Sequence, residues 1–344
     1  MFRLSSLLKA LAALALGSAS AQAAPAPLQA PPPTATGVGF QEIRMPDPAG
    51  GTIQVGVWYP VAADAPLTLS YVSAFPLQLA TDAPVRGDHL PLVVMSHGSG
   101  GEFAGHWDTA MALARAGFVA AALTHAGDNW RDQSKAVDLP ERPRQLKVLV
   151  DYMLDGWTGH ATIDPGRIGA FGFSAGGFTV LTLAGGEPDL STIAPHCAAH
   201  PDSYDCQLLQ RFPAAAAATA RGRPVWPHDR RIRAVVAAAP AVGYAFGKAG
   251  LVGVTQPLQL WRAEKDHVLP HPHYAQAVHD ALPRAPDYRV VAGADHYDFL
   301  VPCNDILRQS APAICQSPAG FDRADFHETF NREVVAFFAR TLAR

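Results

Sequence analysis

The sequence has no excess of basic residues. Its 344 residues include 27 Lys and Arg against 30 Asp and Glu, which gives a formal net charge of −3. A protein that binds nucleic acid needs a basic surface to neutralise phosphates, and a block of like charges would mark an interaction tail. The composition therefore argues against nucleic acid as a partner, and no charged tail is expected.

A hydrophobic run long enough to span a bilayer is also missing near the N-terminus. The apolar run there, Ala10 to Leu16, is far shorter than the about 20 residues that a transmembrane helix needs. Arg3 and Lys9 precede it and small residues follow it, which is the pattern of a secretory signal peptide. We predict that residues 1–24 are a signal peptide cleaved near Ala21–Ala24. The mature chain would be periplasmic or secreted, with no integral membrane segment.

Cysteine is scarce, with four in the chain and none near the predicted cleavage region, which excludes lipid attachment there. In an oxidising compartment four cysteines permit three pairings, and closeness in sequence favours Cys197 with Cys206 and Cys303 with Cys315. Neither pair has the C-x-x-C spacing of a zinc site. We expect two local disulfides, no metal and no cofactor.

Apolar runs alternate with helical patterns along most of the chain. Short buried runs and helical stretches follow one another in the order that predicts a mostly parallel sheet with helices on both faces, an α/β fold. The predicted strands are 52–59, 92–96, 118–124, 167–173, 232–238, 258–261 and 288–291, and the predicted helices are 106–116, 142–154, 178–183 and 326–342.

The domain organisation follows from two interruptions of this pattern. Residues 25–36 are rich in Pro and Ala and predict a linker, so that residues 37–344 form one domain. Residues 187–230 break the strand–helix alternation with a segment containing Pro, His and Cys. Long connections of this kind are often functional, so this segment is a candidate cap or lid, although a surface excursion without function is the competing interpretation.

The motif with the most specific chemistry is Gly172-Phe173-Ser174-Ala175-Gly176, which fits G-x-S-x-G. A predicted strand runs into it and a predicted helix leaves it, which is the arrangement of a nucleophile elbow. The helix start directs its N–H groups at developing negative charge. Ser174 is therefore the candidate nucleophile.

A serine hydroxyl needs a base, and in a strand–turn–helix context of this kind the chain order is Ser, acid, His. Asp266 follows the predicted strand 258–261, and His296 follows 288–291, so both lie past carboxyl ends of strands, where open α/β sheets place their sites. We predict the catalytic triad Ser174, Asp266 and His296. Rival acids are Glu264, Asp295 and Asp298, and the rival base is His267.

A glycine-rich loop, Ser96 to Gly101, follows the predicted strand 92–96. In this position such a loop supplies an N–H to an oxyanion hole, and we assign the two donors to Ser99 and Ala175. A dinucleotide-binding loop is excluded because Phe103 occupies the place of the last glycine in G-x-G-x-x-G. Candidate substrate contacts are Phe173, Trp107 and Trp130.

Four motifs in order, HGSGG, GFSAG, AEKDHVLP and GADHYDF, resemble the α/β hydrolases, in particular the branch described as predicted dienelactone hydrolases, which is similar to the platelet-activating-factor acetylhydrolases. The resemblance runs from about Gly37 to the C-terminus. It implies the α/β-hydrolase fold, the same triad and the hydrolysis of esters with small acyl groups. Dienelactone hydrolases themselves use a Cys nucleophile, whereas position 174 here is Ser.

The expected function is hydrolysis of a small-molecule carboxylic ester through an acyl-enzyme. A lactonase, an amidase or a transacylase would use the same triad, and a non-catalytic binding protein could share the fold. Because His296 must be neutral to act as a base, activity is expected to decline below roughly pH 6–7.

Overall fold

A ten-stranded sheet forms the centre of the protein in a computed structural model that describes residues 37–81, 83–213 and 224–343. The predicted signal peptide, residues 1–24, and the predicted linker, residues 25–36, both lie outside the described residues. The strands are β1 (Gly37–Pro46), β2 (Thr52–Val61), β3 (Thr68–Val72), β4 (Phe75–Thr81), β5 (Leu90–Ser96), β6 (Val119–Thr124), β7 (Ile163–Phe173), β8 (Ile232–Ala238), β9 (Leu258–Ala263) and β10 (Asp287–Val291).

The strand order is β10-β9-β8-β7-β5-β6-β2-β1-β4-β3. The six strands from β10 to β6 run parallel to one another. At the other end, β2 pairs antiparallel with β6 and with β1, and β3 pairs antiparallel with β4. The mostly parallel sheet expected from the sequence is confirmed. Its parallel part brings the carboxyl ends of six strands to one rim.

Helices cover both faces of the sheet. They are α1 (Trp107–Arg115), α2 (Glu141–Asp155), α3 (Ala175–Leu183), α4 (Ile193–Ala199), α5 (Tyr204–Arg211), α6 (Lys248–Leu251), α7 (Ala275–Ala281), α8 (Asp305–Ser310) and α9 (Arg323–Thr341). In the described ranges no helix is both long and apolar enough to cross a bilayer.

Alternation along the strands divides the core into two layers. On β5, Val94 belongs to the layer that α2, α3 and α7 cover, whereas its neighbour Val93 belongs to the layer that α1 and α9 cover. Successive strand side chains point to opposite faces, so a strand buried on both sides must be apolar at every position. The β8 sequence IRAVVAA meets this requirement at every position except Arg233, which is also its one exposed residue.

The four cysteines pair locally, Cys197 with Cys206 and Cys303 with Cys315, which are the pairings expected from the sequence. The first bridge joins α4 to α5 within the candidate cap. Of the candidate cap, residues 187–213 and 224–230 are described, and we call residues 187–213 the inserted segment. Its α5 packs Leu208 against Ala136 and Val137, which follow β6.

Candidate active site

Ser174 occupies a sharp turn between β7 and α3. Its backbone has φ 55° and ψ −118°, a left-handed conformation that side chains rarely adopt. A Cβ on Gly172 would lie 2.0 Å from the Gly176 carbonyl oxygen, and one on Gly176 would lie 1.9 Å from the Ser96 oxygen. The two glycines of the motif are therefore required by close backbone contacts, and the turn projects the Ser174 hydroxyl at the rim of the sheet.

The structure brings Ser174, His296 and Asp266 together from the ends of three strands. The Ser174 Oγ lies 3.1 Å from His296 Nε2, and His296 Nδ1 lies 2.8 Å from Asp266 Oδ2. All three residues are buried, at 7%, 1% and 7% exposure. These are the distances expected of a nucleophile, a base and the carboxylate that orients the base.

The hydrogen bonds of Asp266 define the tautomer of His296. The Oδ1 atom accepts the backbone N–H groups of Val268 and Leu269 at 3.0 and 2.6 Å. The carboxylate therefore has an oxygen, Oδ2, left to accept from His296, which places the imidazole proton on Nδ1 and the lone pair on Nε2. That lone pair faces the Ser174 hydroxyl, so the arrangement can remove the serine proton.

The rival acids are engaged elsewhere. Asp295 accepts the backbone N–H of His296 at 2.7 Å and contacts the exposed imidazole of His267, the rival base. Glu264 accepts the N–H of Gly293 at 2.7 Å, and Asp298 is paired with Arg323 at 3.0 Å. Geometry therefore favours Asp266 as the partner of His296.

The loop after β5 lies directly against the serine turn. A Cβ on Gly98 would be 3.2 Å from the Cβ of Ser174, so the backbone on either side of Gly98 borders the nucleophile. The buried imidazole of His97 accepts the backbone N–H of His125 at Nε2 and donates from Nδ1 to the Gly98 carbonyl at 2.6 Å. Burial, with the nearby Arg142, holds the pKa of His97 well below its usual value. A neutral His97 therefore stabilises the loop that carries Ser99.

A buried ion pair braces the same loop from the other side. Arg142 on α2, 2% exposed, pairs with the buried Asp128 carboxylate and also donates to the His97 carbonyl. Asp128 Oδ1 in turn accepts the Ser99 hydroxyl at 2.8 Å and the Gly100 N–H at 2.9 Å. The ion pair thus holds the backbone that borders the Ser99 N–H.

The same guanidinium reaches the start of α3. Arg142 Nε donates to the Thr179 hydroxyl at 3.2 Å, and this hydroxyl donates to the Ala175 carbonyl at 2.7 Å. One side chain therefore connects the two backbone segments from which the predicted oxyanion donors come. Because Arg142 contacts both segments, we predict that it positions the two oxyanion donors.

Replacing Arg142 with methionine is expected to lower kcat for an ester by about 10²-fold, because displacing one oxyanion donor has an effect of that order. Removing one partner of a buried pair also leaves the Asp128 charge uncompensated, and we expect the free energy of unfolding to fall by about 3–5 kcal/mol. Steady-state kinetics and urea unfolding measure the two effects. Arg144 on the same helix, paired with Asp47 and Glu141, provides the control, and Arg144→Met should leave kcat nearly unchanged. A folded Arg142→Met protein with normal kcat would contradict the positioning role.

His106 is a buried histidine beneath the site, with its ring edge-on to Phe171 and Phe173 at centroid distances of 5.1 and 5.4 Å. Burial lowers its pKa to about 4. An unfolded histidine binds a proton as the pH falls through about 6.5. Between about pH 4 and pH 6.5 the unfolded state binds more protons than the folded state. The free energy of unfolding therefore decreases as the pH decreases in this range.

Replacing His106 with leucine should therefore reduce the pH dependence of the free energy of unfolding between about pH 6 and pH 4.5 by up to about 1.4 kcal/mol per pH unit. Urea unfolding at a series of pH values measures this slope. The exposed His271 offers a control, since His271→Leu should leave the slope unchanged. Equal slopes for His106→Leu and the unsubstituted protein would show that His106 does not contribute to acid instability.

The three predicted substrate contacts occupy different environments. Phe173 is buried and lies under His296, with ring centroids 4.8 Å apart. Trp107 packs on Phe75, whereas Trp130 is 58% exposed and stacks with Arg131. Phe173 thus packs against the imidazole of His296, and substrate contact by Phe173, Trp107 and Trp130 remains a prediction.

The inserted segment reaches the same rim of the sheet as the triad. Asp205 accepts the hydroxyls of Tyr244, after β8, and Tyr274, after β9, at 2.8 and 2.9 Å. Burial raises the pKa of the neighbouring Tyr204 phenol, and the Ser99 side chain acts in the opposite direction. The Tyr204 phenol therefore lies near the Ser99 side chain, in the loop that borders Ser174.

Sequence reasoning did not find the Arg142–Asp128 pair. Arg142 has no local signal, because a lone arginine in an amphipathic helix pattern is usually a solvated residue. Asp128, placed just after the end of β6, could have been selected by its position at the carboxyl rim.

No family model matches the chain. Over 119 residues the chain is 32% identical to a protein of Nocardia uniformis subsp. tsuyamanensis described as "Putative esterase NocK", and the matched stretch spans 34% of this chain and 35% of that protein. The solved structure of a ferulic acid esterase from Streptomyces cinnamoneus has a similar fold, with a TM-score of 0.60 and 17% sequence identity over 91% of this chain and 92% of that chain. This likeness, with the mostly parallel sheet, shows that the protein has the α/β-hydrolase fold.

Proposed function

We propose that the protein is an exported serine esterase that hydrolyses small-molecule carboxylic esters through an acyl-enzyme on Ser174. The observation that carries the proposal is the continuous chain of hydrogen bonds from the Ser174 hydroxyl through His296 to Asp266, at 3.1 and 2.8 Å. The descriptions of the Nocardia and Streptomyces proteins, both called esterases, support the same class of reaction.

The reaction begins when His296 Nε2 takes the Ser174 proton and the oxygen attacks the ester carbonyl carbon. The carbonyl oxygen gains the electron pair, and the N–H groups of Ser99 and Ala175 stabilise it. The C–O bond to the alcohol then breaks, and the alcohol leaves with the proton from His296. Water, deprotonated by the same imidazole, attacks the acyl-enzyme, and the acid leaves as Ser174 recovers its proton. Asp266 stabilises the imidazolium in both halves.

The proposed substrates have small acyl groups, as the resemblance to the dienelactone-hydrolase branch implies. We further propose that the described parts of the candidate cap, residues 187–213 and 224–230, cover the rim, because Asp205 accepts the hydroxyls of Tyr244 and Tyr274 in the loops after β8 and β9. A panel of p-nitrophenyl esters from acetate to octanoate, with a ferulate ester and a lactone, separates the esterase from a lactonase and defines the acyl length. Preference for the longest chains would contradict the small-acyl assignment.

Covalent labelling tests the reaction type directly. A fluorophosphonate is expected to modify the purified mature protein once, at the peptide that contains Ser174, as mass spectrometry would show. The Ser174→Ala protein is the control and should remain unlabelled. Absence of labelling in the unsubstituted protein would favour a non-catalytic binding protein on this fold.

Export is supported by the basic and apolar pattern of residues 1–24 and by the two local disulfides. N-terminal sequencing of the protein recovered from its native compartment should begin near Ala21–Ala24. An uncleaved chain with four free thiols would contradict export.

A further inference from the structure

Three histidines meet on the rim, apart from the triad. His196 and His200 lie on and directly after α4 of the inserted segment, and His273 lies in the loop that follows β9. One ligand nitrogen from each lies within 4.8 Å of the others, and all three residues are half-buried. The His200 and His273 rings are 4.2 Å apart, and the His196 and His200 rings 4.8 Å.

We propose that His196, His200 and His273 form a binding site for a transition-metal dication such as Zn²⁺, which ties the inserted segment to the loop after β9. The spacing of His196 and His200 is H-x3-H, which places two imidazoles one helical turn apart and recurs in zinc sites. The third ligand comes from another element, so binding would join two parts of the rim.

The surroundings of His196 provide the outer contacts that metal-binding histidines use. Its Nε2 lies 3.3 Å from the Tyr274 hydroxyl, and that hydroxyl donates its only proton to Asp205. The Tyr274 oxygen must therefore accept from His196 Nε2–H, which leaves the lone pair of His196 on Nδ1. A carboxylate–tyrosine–histidine chain of this kind orients a ligand and raises its basicity. The ring is also stacked on Tyr244 at 3.6 Å.

The other metal-binding groups near His196 are already engaged. The nearby Cys206 does not compete as a thiolate because it is bridged to Cys197, and the Asp205 carboxylate is occupied by two tyrosine hydroxyls.

The test uses the tag-free mature protein, stripped with a chelator and titrated with Zn²⁺ by calorimetry. We expect one Zn²⁺ per chain, and a loss of affinity of at least about 10–100-fold for His200→Gln and for His273→Gln. These two positions are chosen because His196 also packs on Tyr244, so its replacement could disturb the segment. The exposed His271 is the matched control, and His271→Gln should bind as the unsubstituted protein does.

Two further readouts do not depend on activity. Co²⁺ should give visible ligand-field bands without thiolate charge-transfer absorption, and Zn²⁺ should raise Tm in the unsubstituted protein but not in the His200→Gln/His273→Gln protein. The proposal is overturned if the unsubstituted protein binds Zn²⁺ no more tightly than the double variant. A thiolate band, or an equal loss of affinity in His271→Gln, would overturn it as well.

Discussion

Replacing Ser174 with alanine is expected to lower kcat/KM for a short-chain p-nitrophenyl ester by a factor of about 10⁴ or more. In the proposed mechanism His296 removes the proton of the Ser174 hydroxyl, whose Oγ lies 3.1 Å from Nε2, and alanine supplies no nucleophile in its place. Steady-state kinetics on the purified mature protein measure the change. Residual activity above the uncatalysed rate would come from the oxyanion donors and binding alone.

A variant with both Ser174 and His296 replaced tests whether the loss of activity comes from the triad. Residues that act as a unit are strongly non-additive, so Ser174→Ala/His296→Ala should be about as inactive as Ser174→Ala. Thermal unfolding controls for folding, since alanine at 174 removes only one oxygen. A Ser174→Ala protein that turned over esters at the normal rate would refute the proposed mechanism.

Replacing Asp266 with asparagine is expected to lower kcat by about 10⁴ through the tautomer of His296. The Val268 and Leu269 N–H groups require an acceptor at one terminal atom of residue 266, at 3.0 and 2.6 Å. The amide oxygen of asparagine must take that place, which turns its NH2 group toward His296 Nδ1. That nitrogen would then have to accept, so the imidazole proton moves to Nε2 and faces Ser174. A protonated Nε2 cannot remove the serine proton.

Asp295 provides the matched control for this prediction. It is adjacent to His296 in sequence but contacts its backbone N–H, not its imidazole. Asp295→Asn keeps an oxygen acceptor there and should change kcat by less than about 10-fold. A loss in Asp295→Asn as large as in Asp266→Asn would assign the orienting carboxylate to Asp295 instead.

Much of the parallel half of the fold could be predicted from local patterns. The expected strand 232–238 coincides with β8. The helix α2 extends only one residue beyond each end of the expected helix 142–154. Strands buried on both faces are continuous apolar runs, so they stand out in a sequence. The antiparallel end of the sheet is harder to predict, and the sequence patterns do not identify β1, β3 or β4. β1 mixes buried positions with half-buried and exposed polar ones, and β3 is largely exposed, so neither has a clear apolar pattern.

The candidate site was likewise predicted only in part from the sequence. The sequence identified Ser174 with its flanking glycines, and also Asp266 and His296. Each of them follows a recognisable strand. The Arg142–Asp128 pair and the three-histidine cluster have partners from different elements, Asp128 from the loop after β6 and His273 from the loop after β9. Pairings between distant elements leave no trace in local composition.

The amino-acid sequence by itself determined the strands of the parallel half, their order and the residue types that their ends carry, because hydrophobic periodicity and glycine at a strained turn are local requirements. Only the tertiary structure decided which of several acids faces His296 and which tautomer that histidine adopts. It also showed that one buried arginine connects the two segments that carry the predicted oxyanion donors. These depend on distances between side chains far apart in the chain, and such distances are set by how the strands align and how the helices pack on them.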